Sequence, residues 1–113
     1  MLSFLRAARA SRLYGRSLRL RARGQSAEAL GVARYGLSLA SGGESRWEDS
    51  AFACLAVEVE RLAPEVGEVG LTTAQLQRAI LVLKESSGSK SEAAAYREEW
   101  LPKLESRLGG AVA

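Results

Sequence analysis

The chain has no histidine, no asparagine and a single cysteine, Cys54. Without histidine, no Ser/His/Asp or Cys/His catalytic set can be assembled, and the commonest metal ligand is missing. One cysteine excludes an internal disulfide. Prolines number two and aromatic residues seven in 113 positions. Uncharged runs such as 37–43 and 51–57 fall far short of the roughly 20 apolar residues a membrane-spanning helix needs. No stretch alternates β-branched with polar residues over the length of a strand. No phosphate loop occurs either: Gly42-Gly43 reads as a helix stop, and Gly67-x-x-Gly70 lacks the strand and the lysine such a loop requires. Cys54 lies in the apolar stretch 52–57, the setting of an inert core thiol. Glu58 and Glu60 are two residues apart and do not share a helix face, so they make a poor carboxylate pair. No catalytic residue, metal site or cofactor is expected.

What is present is helix-forming. Alanine (19), leucine (17) and arginine (13, against 3 lysines) dominate the composition, and all three rank high in helix propensity. Apolar residues make up 47% of the chain and charged residues 26%, the proportions of one globular domain. Gly and Pro breaks divide the chain into five helical segments. The first runs from about Ser3 to Arg23 and is closed by Gly24. The second runs from Ser26, its expected cap, to about Ala40. Ser45–Glu48, Thr72–Gln75 and Ser89–Glu92 each have the form of a capping box and open the other three. Pro64 blocks the third helix after Ala63, Pro102 should kink or restart the fifth, and Gly109-Gly110 should end it. Inward stripes recur at helical spacing: Leu30, Ala33, Leu37 and Ala40; Ala51, Leu55, Val59 and Leu62; Leu76, Ala79, Ile80 and Leu83; Tyr96, Trp100, Leu104 and Leu108. The expected fold is all-α, about five helices in stacked antiparallel hairpins. It comprises a basic first hairpin (1–43), a second hairpin (44–86) and a C-terminal capping helix (89–108).

Gly24-Gln25-Ser26-Ala27-Glu28-Ala29, leading on to Ala33, Gly36, Leu37 and Leu39, resembles the turn and second helix of a tetratricopeptide repeat. In that register the repeat's first position is Leu13. Thirty-four residues on stands Trp47, the residue type the repeat has there, with Ala51 at its small-residue place. Other places depart: Arg16 and Ser50 stand for its Leu, Leu20 and Cys54 for its Tyr, Ala33 for its Phe and Ser41 for its Pro. The resemblance implies an α-α superhelical scaffold that holds a protein or peptide partner in a groove, lined by Tyr14 and Leu18 in one copy and Glu48 and Phe52 in the other. Trp47, as a repeat tryptophan, belongs in the core, and is a contact residue if it does not. Some such repeats grip a C-terminal carboxylate with Lys, Arg and Asn; a chain without asparagine is not expected to. The groove would suit an apolar helix or peptide.

Charge is placed unevenly. Residues 1–40 carry eight arginines and one acid, Glu28, a net of +7; residues 41–113 carry eight bases and twelve acids, a net of −4. Arg9, Arg12, Arg16, Arg19 and Arg23 follow one another at intervals of three and four, which stacks them on one face of the first helix. The opposite face carries Phe4, Ala7, Tyr14, Leu18 and Ala22. Three answers to the row are open: the chain's own acids (Glu58, Glu60, Glu98 or Glu99) or water; an acidic protein partner or the acidic half of a second copy; and phosphate on a membrane or nucleic acid, the less favoured class. The expected function is a non-enzymatic interaction module. Its contacts would be Arg9, Arg12, Arg16, Arg19, Arg23, Tyr14, Leu18, Phe52 and Trp47, and an anionic-surface binder is the alternative. The expected location is cytoplasmic. Residues 1–24, rich in arginine and free of acids, would make it mitochondrial if they act as a presequence.

Overall fold

The computed structural model describes residues 2–43, 45–86 and 92–112. The fold is all-α, with five helices and no strand among the described residues. In chain order they are α1 (Leu2–Ala22), α2 (Ser26–Leu39), α3 (Arg46–Leu62), α4 (Thr73–Glu85) and α5 (Glu92–Val112), with a 3-10 turn at Pro64–Val66.

The breaks act as their residue types dictate. Gly24 has φ +76°, a conformation that costs a residue with a Cβ roughly 1–2 kcal/mol. It lets the Gln25 N–H return 3.0 Å to the Leu20 carbonyl and its own N–H reach Arg21 at 2.9 Å. This double closure ends α1 and reverses the chain. Thr72 and Gln75 form the full capping box: Thr72 Oγ1 accepts from the Gln75 N–H at 3.2 Å, and Gln75 Oε1 accepts from the Thr72 N–H at 2.9 Å. Ser45 Oγ accepts from the Glu48 N–H at 3.1 Å. The Glu48 carboxylate turns to the Gly42 N–H, 3.0 Å away, clipping the α2–α3 link to the start of α3.

Three expectations need correcting. Gln25, not Ser26, is the N-cap of α2 and makes no side-chain cap bond; the Ser26 hydroxyl donates to Glu65 at 2.9 Å, tying α2 to the 3-10 turn. Pro102 does not restart the last helix, the second of its two expected effects: it lies within one continuous α5. It is exposed, so water can serve the carbonyl that its missing N–H leaves unbonded. Gly109-Gly110 does not end that helix, which continues to Val112. Neither glycine takes the positive φ of a helix stop, and a helical glycine costs only about 1 kcal/mol against alanine. The cap of the Ser89–Glu92 box, Ser89, lies outside the described residues.

Backbone contacts join α1, α2 and α3 to one another, and α3, α4 and α5 to one another. Helix α3 therefore belongs to both groups, and it is buried on every side from Ala51 to Val59. An all-round apolar helix is stable only as such a centre. One core cluster draws on all five helices, including Ala10 and Tyr14 of α1, Leu30 and Leu37 of α2, Leu76 and Leu83 of α4, and Trp100 and Leu104 of α5. At Gly36 three helices nearly touch: a Cβ there would lie 3.0 Å from the Leu55 side chain and 3.3 Å from Leu13 Cβ.

Candidate interaction surface

Ala7, Ala10, Tyr14 and Ser17 turn one side of α1 into the core. A helix turns 100° per residue, so positions 9, 12, 16, 19 and 23 fall together on the other side. All five arginines are exposed. Among the described residues none of them is paired with an acid. Arg9 places its guanidinium 5.3 Å from the centre of the Tyr35 ring, a contact of about 0.5–1 kcal/mol at an exposed site.

Of the acids expected to answer the row, Glu58, Glu60 and Glu99 are engaged elsewhere. Glu58, fully buried, accepts from Arg21 Nε at 2.8 Å and has Arg61 Nε at 3.3 Å. Glu60 binds Arg107 at 3.1 Å and accepts from the Leu71 N–H at 2.6 Å. Glu99 pairs with Lys103 at 3.6 Å. Asp49 and Glu105 pair with Arg78 and Lys84 at 3.0 and 3.5 Å. Like charges at these spacings repel by about 0.2–0.5 kcal/mol per neighbouring pair, so the row holds a standing cost of about 1–2 kcal/mol over its four intervals.

At the N-terminal end of the row three large apolar side chains stay in water: Phe4 at 58% exposure, Leu5 at 59% and Trp47 at 41%. Phe4 meets Trp47 edge to face, centroids 4.9 Å apart. Trp47 is thus outside the core, contrary to the expectation for a repeat tryptophan. Behind it a cleft of about 230 Å³ opens between α1 and α3, lined by Ser11, Tyr14, Trp47, Ser50, Ala51 and Cys54.

The expected groove residues do not come together. Phe52 is 2% exposed and lies under the Arg78 guanidinium, 4.0 Å from its ring centre. It stands about 200° round α3 from Cys54, and so faces away from the cleft. Glu48 is buried at the α2–α3 link. Leu18 is half-buried against the core. Tyr14 is 8% exposed, and its hydroxyl is hydrogen-bonded to that of Tyr96.

That bond belongs to a polar cluster between α1, α3 and α5 that sequence reasoning missed. Burial pushes the Tyr96 hydroxyl above its ordinary pKa of 10.0; the Tyr14 hydrogen bond pulls it down, and Glu58 pushes it up. Arg61 and Lys103 lie over the Trp100 ring at 5.2 and 4.6 Å, and Trp100 Nε1 is buried without an acceptor among the described residues. The available signal was Glu58 itself, an acid inside an apolar run buried on all sides. Among the described residues no three of His, Cys, Asp and Glu gather as a metal site would need, and no helix is long and apolar enough to cross a membrane.

No protein-family model, curated protein or solved structure matches the chain.

Proposed function

We propose that the chain is a non-enzymatic interaction module, a short helical scaffold of tetratricopeptide-like type, whose binding face is the arginine row of α1 and whose partner is an acidic protein or peptide. The observation that carries this reading is the imbalance of pairing. Arg21, Arg61, Arg78 and Arg107 hold Glu58, Asp49 and Glu60, while among the described residues no acid is paired with the exposed Arg9, Arg12, Arg16, Arg19 or Arg23. A repeat-like stack is supported by the two helix triplets that share α3 and by the close approach at Gly36. The cytoplasm is the setting proposed for such a module.

The direct test is titration with poly-glutamate at low and moderate salt, on the wild type and on an Arg12→Glu, Arg16→Glu variant. Salt-sensitive binding by the wild type and loss of binding by the variant are expected. Equal binding by both removes the row from the function. Light scattering of the same two proteins tests a second copy as the partner: a mass that the substitutions leave unchanged counts against it. A second reading, an anionic membrane surface, is favoured by the exposure of Phe4 and Leu5 beside Arg6 and Arg9, and sedimentation with phosphatidylserine vesicles examines it.

A further inference from the structure

Arg9, Arg16 and Arg23 are seven residues apart, and Arg12 and Arg19 are seven apart between them. This is the 3-4-3-4 interval of the seam along which two α-helices run beside each other at a shallow left-handed crossing. Leu5 stands in the same register, seven residues before Arg12. The row of five exposed arginines, about 21 Å long at 1.5 Å per residue, therefore continues at its N-terminal end into Leu5; Phe4, about 100° round the helix from it, meets Trp47 edge to face, and these three exposed side chains are the apolar seat at that end.

We infer that the partner segment is an α-helix with apolar residues at one end and carboxylates at heptad spacing along the rest. It lies along α1 with its apolar end against Phe4, Leu5 and Trp47 and its acids against the arginines. This rests on the reading that the arginine row is the binding face. The charge and the seat together select the occupant. A bilayer would have to take up the apolar side of α1, but Ala7, Ala10 and Tyr14 are already committed to the core. A phosphate backbone would answer the guanidinium groups and leave Phe4, Leu5 and Trp47 in water. A carboxylate-bearing helix answers both, and each carboxylate can take two parallel N–H bonds from the planar guanidinium.

The probe is a synthetic, helix-stabilised peptide of about three heptads, with two leucines at one end and glutamates at the 3-4 interval. The control has the same composition with the glutamates spread over all faces. Fluorescence anisotropy at low salt is expected to show the registered peptide binding at least about tenfold more tightly than the control, with the charged seam losing strength steeply as salt rises. Arg12→Glu, Arg16→Glu should abolish that preference, and a peptide with lysine for the two facing glutamates should restore it. Both arginines are exposed, and circular dichroism is the check that the variant folds. Phe4→Ser with Leu5→Ser should weaken the leucine-ended peptide and leave a serine-ended one unchanged.

Equal binding of registered and control peptides overturns the helix, while arginine-dependent binding of poly-glutamate would leave the interaction reading standing. Absence of binding to every acidic probe overturns both. Binding to phosphatidylserine vesicles or to duplex DNA with none to the peptide overturns the helix in favour of that surface.

Discussion

Reversing one charge at the middle of the arginine row should make the protein more stable, an unusual expectation for a non-conservative substitution. Arg16 is four residues after Arg12 and three before Arg19, and no acid among the described residues is paired with it. Each of those neighbours repels it by about 0.2–0.5 kcal/mol, and a glutamate there would attract both by a similar amount. Helix propensity is nearly equal for the two residues and drops out. The four terms amount to about 1–2 kcal/mol at low ionic strength. Solvent exposure and screening reduce this to about 0.5–1 kcal/mol near physiological salt. In a domain of this size that is a rise in Tm of about 2–4 °C. Arg16→Gln, which relieves repulsion and adds no attraction, should give about half the gain. Urea unfolding followed by circular dichroism at ~0.01 M and ~1 M salt is the assay, because the Debye length falls from about 30 to 3 Å between them. The gain should be present in the first condition and absent in the second. A glutamate variant no more stable than the wild type at low salt would show that the row carries no mutual repulsion. A gain that survives high salt would show that something other than charge produced it.

Three further outcomes follow from the interior. Arg21→Met leaves the buried Glu58 carboxylate with Arg61 alone and should cost about 3 kcal/mol in urea unfolding; a cost under about 1 kcal/mol would mean that Arg61 and water suffice. Tyr96 loses its proton less readily folded than unfolded. Its contribution is whole below its ordinary value of 10.0 and declines as pH rises above that value through the higher folded one. Tyr96→Phe should flatten the loss of stability above about pH 10, and spectrophotometric titration should lose one tyrosine that ionises above its ordinary range; an unaltered alkaline limb contradicts this. Gly36→Val should destabilise by about 1–3 kcal/mol through overpacking against Leu55 and Leu13, whereas an unchanged Tm would mean that α2 can move away from α3 freely.

The fold was legible because its signals are local. Gly24, the Thr72–Gln75 box and the Pro64 break act within a few residues of themselves, and the inward stripes of α2, α3 and α4 need only helical periodicity to be read. Boundaries failed where a local rule met a tertiary alternative. Ser26 had Glu65 within reach and did not cap its own helix, and Gly109-Gly110 stayed helical. The arginine row was legible for the same reason as the stripes, since its face is set by spacing on one helix. The groove was not, because it required knowing how α3 is rotated against its neighbours. Phe52 and Cys54 are two residues apart in sequence and face opposite ways, and nothing local says which of them looks towards α1. Trp47 misled for a related reason: the repeat resemblance fixed its register, while its burial depended on what packs over the first turn of α3.

Position in the stack gives the arginine row its physical meaning. Helix α1 packs on α2 and α3, bonds α5 through Tyr14 and Tyr96, and shows its arginine side to water; in the proposed repeat-like stack that side is where another helix would join. An apolar surface there would invite any exposed apolar helix, including a second copy. Five arginines in file discourage indiscriminate apolar stacking through desolvation: bringing an uncharged helix over them would strip water from five guanidinium groups and return nothing. A helix with carboxylates at the same interval replaces that water with charge-assisted hydrogen bonds and removes the mutual repulsion as well. The repulsion that Arg16→Glu should relieve by mutation is the same one an acidic partner would relieve on binding. On this reading selectivity comes from a surface that costs the free protein stability.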